Sequence, residues 1–433
     1  MPFEPRSGAP RNIAVIGAGI SGMGAAHMLS IDNNVTLFEA EPRLGGHART
    51  KVAGKRGDQP VDTGFIVFNY ANYPHLAKLF DALDVPVEPS NMSFSASLRG
   101  GAVEYGLDGV GALFAQRRNL LRPRFLRMVR DIFRFNATAL GAATDRTQPL
   151  GDFLDQLGMG EGFREDYLLP FTGAIWSTPI EKIMEFPAHA LVQFMENHAL
   201  LHHTGQHQWY TVSGGSQEYV SRLEASMRAR GVSLRTGCPI EAVRRDGLGV
   251  DIRPWGGDWE RFDEVIFATH SDDSLKLLAD PSKSEAHALG NFRYQPNEVV
   301  LHADAAMMPK RRATWSSWNY TEDTEPDQER IDLTYWMNCL QPAIPQDDPM
   351  YVTLNTKRTI REELIYDQVT LRHPVYDNAA LAAQDDVRAF NGTNRTWFCG
   401  AWMKNGFHED GLASAVDVVE RIRAVAAAQV AAE

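Results

Sequence analysis

The hydrophobic pattern at the start of the chain reads as strand, turn, helix, strand. Ile13-Ala14-Val15-Ile16 is an unbroken apolar run that stops at Gly17, as a buried strand does on entering a tight turn. Ile20 to Leu29 is filled with small and apolar side chains, which suits a helix lying close on a sheet. Val35 to Glu39 follows as a second strand, completing a βαβ unit. Residues 86 to about 205 then change to helical periodicity, with many aromatics and a run of arginines. From about residue 209 strands return: Val232 to Arg235, a hairpin over Glu241 to Arg253 and Trp259 to Phe267, and the strand Glu264 to Thr269. Residues 286 to about 390 mix strands (Glu298 to Ala303, Ile331 to Met337) with loops. The chain closes on Thr396 to Cys399, Gly400, and a helix over Gly411 to Ala427. This pattern predicts an α/β protein with a Rossmann-like domain interrupted by an inserted α+β substrate domain. The nucleotide domain would take residues 10–85, 209–285 and 391–433, and the substrate domain 86–208 and 286–390.

Composition narrows the function classes. The chain has 433 residues, 44 % hydrophobic and 23 % charged, which is ordinary globular usage. Its net charge of −12 argues against non-specific nucleic-acid binding. Three scattered cysteines, Cys238, Cys339 and Cys399, make neither a disulfide framework nor a zinc ligand set, and fit a reducing, cytoplasmic setting. The first ten residues lack a signal pattern, and no uncharged run reaches the ~18 apolar residues of a membrane span. Membrane contact is therefore expected only at the periphery.

The candidate chemistry begins at Gly17-Ala18-Gly19-Ile20-Ser21-Gly22. In such a turn the first glycine allows the bend, the second lets the backbone approach a diphosphate, and the third lets helix and strand pack closely. Glu39 stands 20 residues after Gly19, where a carboxylate accepts hydrogen bonds from both ribose hydroxyls; Ala40 follows it. A second glycine pair, Gly45-Gly46, comes soon after and implies another close backbone approach. A cofactor as long as FAD would use it.

GAGISG followed by FEAEPRLGGHART resembles the flavin amine oxidase and phytoene desaturase superfamily. The resemblance implies an amine oxidase-like fold and non-covalent FAD held in extended form. The usual form of the second glycine motif is GGR; here His47 takes the arginine's place, and Arg49 is the candidate substitute. Asp62-Thr63-Gly64 resembles the segment that runs beneath the flavin ring. Phe398 to Ala401 and His408 to Ala415 resemble the closing motif, with Gly400, Gly411 and Leu412 as cofactor contacts. Ala401 stands where the family usually has an acid. Cys399 is misplaced for a covalent flavin link and reads as a buried strand residue.

In the second domain, Lys310, Trp318 and Tyr210 are the catalytic candidates, Lys310 because related amine oxidases place a lysine near the flavin. Each also has a plain reading as surface or core. His202, His203 and His207 have a possible metal spacing without a carboxylate beside them, and no metal is expected. Seven arginines lie within residues 117–134. From Pro123 onward, Phe125, Met128, Val129, Ile132 and Phe133 recur at helical spacing, with Arg124, Arg127, Arg130 and Arg134 on the opposite face. That face suits solvent, an acidic partner or an anionic membrane. The HEDG and MPKRRATWSSWNY segments look like a bacterial branch of the superfamily. Related proteins there act with fatty-acyl methyltransferases as desaturases of methylated phospholipid chains, in furan fatty acid synthesis. The resemblance therefore implies an apolar, methyl-branched acyl substrate. A flavin amine oxidase releasing hydrogen peroxide and a non-enzymatic lipid escort are the alternatives.

Overall fold

The computed structural model describes residues 10–176, 183–202, 205–323 and 332–432. Its first layer is a five-stranded parallel sheet in the order Ser233–Arg235, Asn34–Phe38, Asn12–Ile16, Glu264–Phe267, Thr396–Phe398. The first strand is central, so Ile13, Ala14 and Val15 lie between two neighbours and are fully buried. That placement accounts for the unbroken apolar run. The Ile20–Leu29 helix is buried at every position, which is why it lacks a polar face. It packs against the closing helix, His408–Ala432.

The overlapping hairpin arm, expected over Trp259 to Phe267, and strand, expected over Glu264 to Thr269, resolve into two short strands. Glu260–Phe262 completes a three-stranded antiparallel sheet with Ile240–Arg245 and Val250–Pro254, and the chain then enters the parallel sheet at Glu264. Asp263 makes the break, exchanging backbone and side-chain bonds with Asn12.

The second large layer is a seven-stranded sheet. Its order is Ile365–Val375, Arg293–His302, Tyr351–Leu354, Asp332–Trp336, Trp318–Thr321, Phe94–Leu98, Val103–Gly106. Of the strand expected from Ile331, Ile331 itself lies outside the described residues. Strand alternation gives this sheet two faces of opposite character. Val299, Trp318, Leu333, Tyr335 and Leu354 share an apolar face. Ser95, Asn319, Thr334, Thr353 and His302 share the other, and all five are fully buried. They satisfy one another: Ser95 donates to Asn319 (2.8 Å), the Thr334 and Thr353 hydroxyls bond at 2.8 Å, and His302 Nε2 meets Thr353 at 2.7 Å. Burial of this face is tolerable because its polar groups are paired. Helices from residues 123 to 197 lie on the apolar side.

Candidate active site

The fingerprint turn shows three different reasons for its glycines. Gly17 has φ +98°, and a Cβ there would stand 2.9 Å from the Ala268 carbonyl oxygen. A Cβ on Gly22 would stand 1.8 Å from the Gly17 oxygen, so helix and turn touch backbone to backbone. A Cβ on Gly19 would meet nothing within 4 Å, because it would project into a cavity. The helix that follows has no side-chain cap and no acid in its first turn. Its leading amides at Ile20 and Ser21 therefore face open space with the positive end of the helix behind them, a cradle for an anion.

Glu39 closes one end of this cradle. Its two oxygens accept the Ala18 and Glu41 amides at 2.7 and 2.8 Å, which fixes the carboxylate and leaves lone pairs for a diol. The second glycine pair lies on the first. The Gly45 amide donates to the Ala18 carbonyl at 2.8 Å, and a Cβ on Gly46 would stand 3.0 Å from Gly19 Cα. Thr63 and Gly64 run alongside, Gly64 so close that a Cβ would stand 2.0 Å from the His47 carbonyl oxygen.

These segments line one end of a continuous cavity of about 720 Å³. Gly17, Gly19, Ile20, Ser21, Glu39, Ala40, Gly46, His47, Thr63, Gly64 and Gly400 all border it. The far end is walled by the apolar face of the seven-stranded sheet, with Val299, Trp318, Tyr335, Leu354 and Leu371, and by Met92 and Ile175. Trp318 and Tyr335 pair across adjacent strands, rings 5.2 Å apart. The fit to FAD is good: an uncapped helix start for a diphosphate, a fixed carboxylate for a ribose, and an apolar chamber beyond.

Several expected contacts lie elsewhere. Arg49 does not border the cavity. It is buried, paired with Asp367 on the Ile365–Val375 strand, and donates to Thr63 Oγ1 at 3.1 Å, so it clasps the two layers together. Lys310 is exposed and donates to the Gly100 carbonyl at 2.6 Å, far from any role beside the cavity. Tyr210 packs against Phe68 and Tyr70, because strand alternation turns its neighbour Trp209 toward the cavity instead. Gly22, Gly45, Gly411 and Leu412 act one layer back. The closing helix begins at His408, not Gly411; a Cβ on Gly411 would stand 2.9 Å from Ser21 Oγ, and Leu412 fills the space beside Gly24. Cys399 is buried outside the cavity, its thiol pushed up to about 12 by desolvation. His202 is exposed beside Glu196, and His203 lies outside the described residues.

The residues that sequence reading missed are basic and aromatic. Arg372 and Lys276 border the cavity. Arg372 pairs with Asp272 (2.7 Å) and Asp273, and Lys276 with both acids. Those carboxylates and His270 bring three donor atoms within 4.8 Å, but both acids already serve cations. His47, expected at the cofactor from its place after the glycine pair, is joined at the cavity by His270, His373 and His408. Burial lowers each of them, His270, His373 and His408 to about 3, and so favours the neutral ring. His408 stacks on Phe65 at 4.0 Å and bonds Tyr219 OH through Nε2 at 2.6 Å. Arg372 and His373 gave no sequence signal: they lie some 350 residues after the glycine turn, on a strand that alternates like any other.

The model of the family "Flavin containing amine oxidoreductase" matches residues 20–343, about three quarters of the chain. A mitochondrial protoporphyrinogen oxidase from Nicotiana tabacum is 48 % identical over 48 residues, which is 11 % of this chain and 10 % of that protein. Among solved structures, a CLA-producing fatty acid isomerase from P. acnes aligns with TM-score 0.67 and 16 % identity over 96 % of this chain and 99 % of its own. A variant of putrescine oxidase aligns with TM-score 0.68 and 15 % identity (97 % and 99 % covered). Cyclohexylamine oxidase from Brevibacterium oxydans IH-35A aligns with 0.64 and 14 % (96 % and 100 %). At such identities the structural likeness speaks for the fold, and the family match carries the rest: the chain belongs to the flavin-containing amine oxidoreductases, as an FAD-dependent oxidoreductase.

Proposed function

We propose that the protein introduces a carbon–carbon double bond into an apolar substrate, a methyl-branched fatty-acyl chain of phospholipid. One observation carries this reading. The carboxylates bordering the cavity are Glu39 and Asp273, both on the nucleotide layer, whereas the chamber at the far end is lined by Trp318, Tyr335, Val299, Leu354, Leu371, Met92 and Ile175. A protonated amine would enter that chamber without a counter-charge, while an acyl chain gains by leaving water.

FAD, when bound, supplies an acceptor for a hydride. Glu39 would hold its ribose, and the Ile20 and Ser21 amides its diphosphate. The neutral histidines keep further positive charge out of the junction between cradle and chamber. The substrate loses a hydride and a proton from adjacent carbons, the proton passing to a base or water, and oxygen or a quinone takes the electrons onward. A methyltransferase would supply the branched chain.

Lipid extracts of cells with and without the gene test the reading. A saturated methyl-branched acyl species should accumulate when the protein is missing, and an unchanged acyl profile overturns the proposal. Hydrogen peroxide released with polyamines by the purified protein would assign the amine oxidase reaction instead.

A further inference from the structure

The arginine-rich segment is not the face its sequence suggests. In the Pro123–Ala142 helix, Phe125, Met128, Phe135 and Ala139 are buried against the core, as an amphipathic helix requires. Arg124 is withdrawn from the expected arginine face: it meets Asp166 at 2.8 Å and Glu165 at 2.6 Å. Arg130 and Arg134 share the buried Asp131. The outward side carries an apolar line as well. Leu126, Phe133 and Leu140 recur every seventh residue, a spacing that drifts only ~20° per step on a helix. All three are exposed. In the short turn just before, Arg117–Leu121, Leu120 is 51 % and Leu121 86 % exposed.

Cations are interleaved with these side chains. Arg117 and Arg127 are exposed, and neither forms an ion pair among the described residues. Arg118 and Arg122 donate only to uncharged groups. Arg122 is held below its ordinary value by burial and then by the nearby Arg118, Arg99 and Arg311. Residues 117–134 hold seven arginines and one acid in a chain of net charge −12. Glu161, Glu165 and Asp166, acids beside the first turn of this helix, are engaged by Arg124.

We propose that this face seats the protein on an anionic phospholipid surface. Exposed leucines within an arginine field are costly toward water. They match the boundary of a bilayer, where leucine reaches the acyl region and the long arginine stems leave guanidinium groups at the phosphates. No helix among the described residues is long and apolar enough to cross a membrane, and an interfacial contact needs none. The remaining acidity of the chain repels the same surface, so it fixes the orientation. None of the side chains involved borders the cavity, so the inference stands apart from the substrate proposed above.

Sedimentation of the flavin-loaded protein with vesicles tests it. The protein should pellet with vesicles of mixed phosphatidylglycerol and phosphatidylcholine at low salt, stay in solution with phosphatidylcholine alone, and be released as salt rises. Neutralising an arginine near such a surface costs roughly fivefold in partition, so Arg117→Gln with Arg127→Gln should weaken binding by about 25-fold. Leu121→Ser with Leu126→Ser should remove the binding that survives at moderate salt. Flavin content and melting temperature report that each variant is folded. Wild-type protein that ignores the anionic vesicles at low salt overturns the proposal, even if it binds an acidic protein instead. So does unchanged vesicle binding by both folded double variants.

Discussion

Two glycines three residues apart in the fingerprint turn separate folding from binding. Gly19→Val adds a side chain into open cavity, so the variant should fold and melt normally yet purify colourless. Gly22→Ala forces a Cβ against the Gly17 oxygen, so it should lose soluble protein and flavin together. Absorbance of the purified variants, beside their melting curves, reads both outcomes; a yellow Gly19→Val protein would remove the diphosphate from that spot. Glu39 carries a second residue-scale expectation. Glu39→Gln keeps the shape but turns an acceptor into a donor facing the Ala18 or Glu41 amide, and removes the charge from the ribose. Hydrogen bonds to charged groups are worth roughly 1.5–3 kcal/mol, so FAD affinity should fall by about one to two orders of magnitude. Titration of apoprotein with FAD measures it.

The strands and helices were legible where local chemistry dictated them. An apolar run ending in glycine, an all-small helix and a proline before an amphipathic stretch each name their element without help from the rest of the chain. Glu39 and Thr63, read from their places beside the glycine turns, border the cavity, as does Trp318, but other side-chain destinations were not legible. Arg49 was read toward the cofactor because it follows the glycine pair; its true partner, Asp367, is 318 residues away, and no local pattern announces it. Likewise Arg372 reaches the cavity by register on a distant strand, and Lys310 leaves it because its ammonium finds a carbonyl on the far rim of the sheet. The Arg49–Asp367 clasp has its own consequence. Lys51 also reaches Asp367, at 3.4 Å, so Arg49→Met leaves the carboxylate part-compensated and should lower stability by roughly 1–3 kcal/mol. Because Arg49 does not border the cavity, the folded fraction should keep its flavin. Denaturant unfolding and flavin stoichiometry on the same sample check both statements.

For the molecule as a whole, the titrating interior sets a pH limit. His270, His373 and His408 are lowered to about 3 by burial, and His27 and His302 to about 4. Groups lowered on folding contribute stability that is complete above their unfolded value near 6.5 and is lost as pH falls below it. Asp62, Asp410 and Glu409 act oppositely: burial raises them to about 6, 6 and 7, so their contribution fades as pH rises through those values. The histidines outnumber the acids. Stability should therefore rise steeply with pH up to about 6.5 and then level off or decline slightly. Each net proton taken up on unfolding adds about 1.4 kcal/mol per pH unit to the slope. Melting temperatures across pH 4.5 to 8 would show it, and a flat profile below 6.5 would mean the buried rings are not held neutral.

The cradle also has a history written into its chain order. Its glycine turn precedes Gly400 by almost four hundred residues, yet Gly400 borders the same cavity, the Thr396–Phe398 strand completes the parallel sheet at its edge, and the closing helix packs against the fingerprint helix. The glycine turn must wait for these later residues before the cradle is complete. Flavin loading thus follows synthesis of the Thr396–Phe398 strand and the helix after it, and the residues between have time to fold while the two halves of the nucleotide site are still apart.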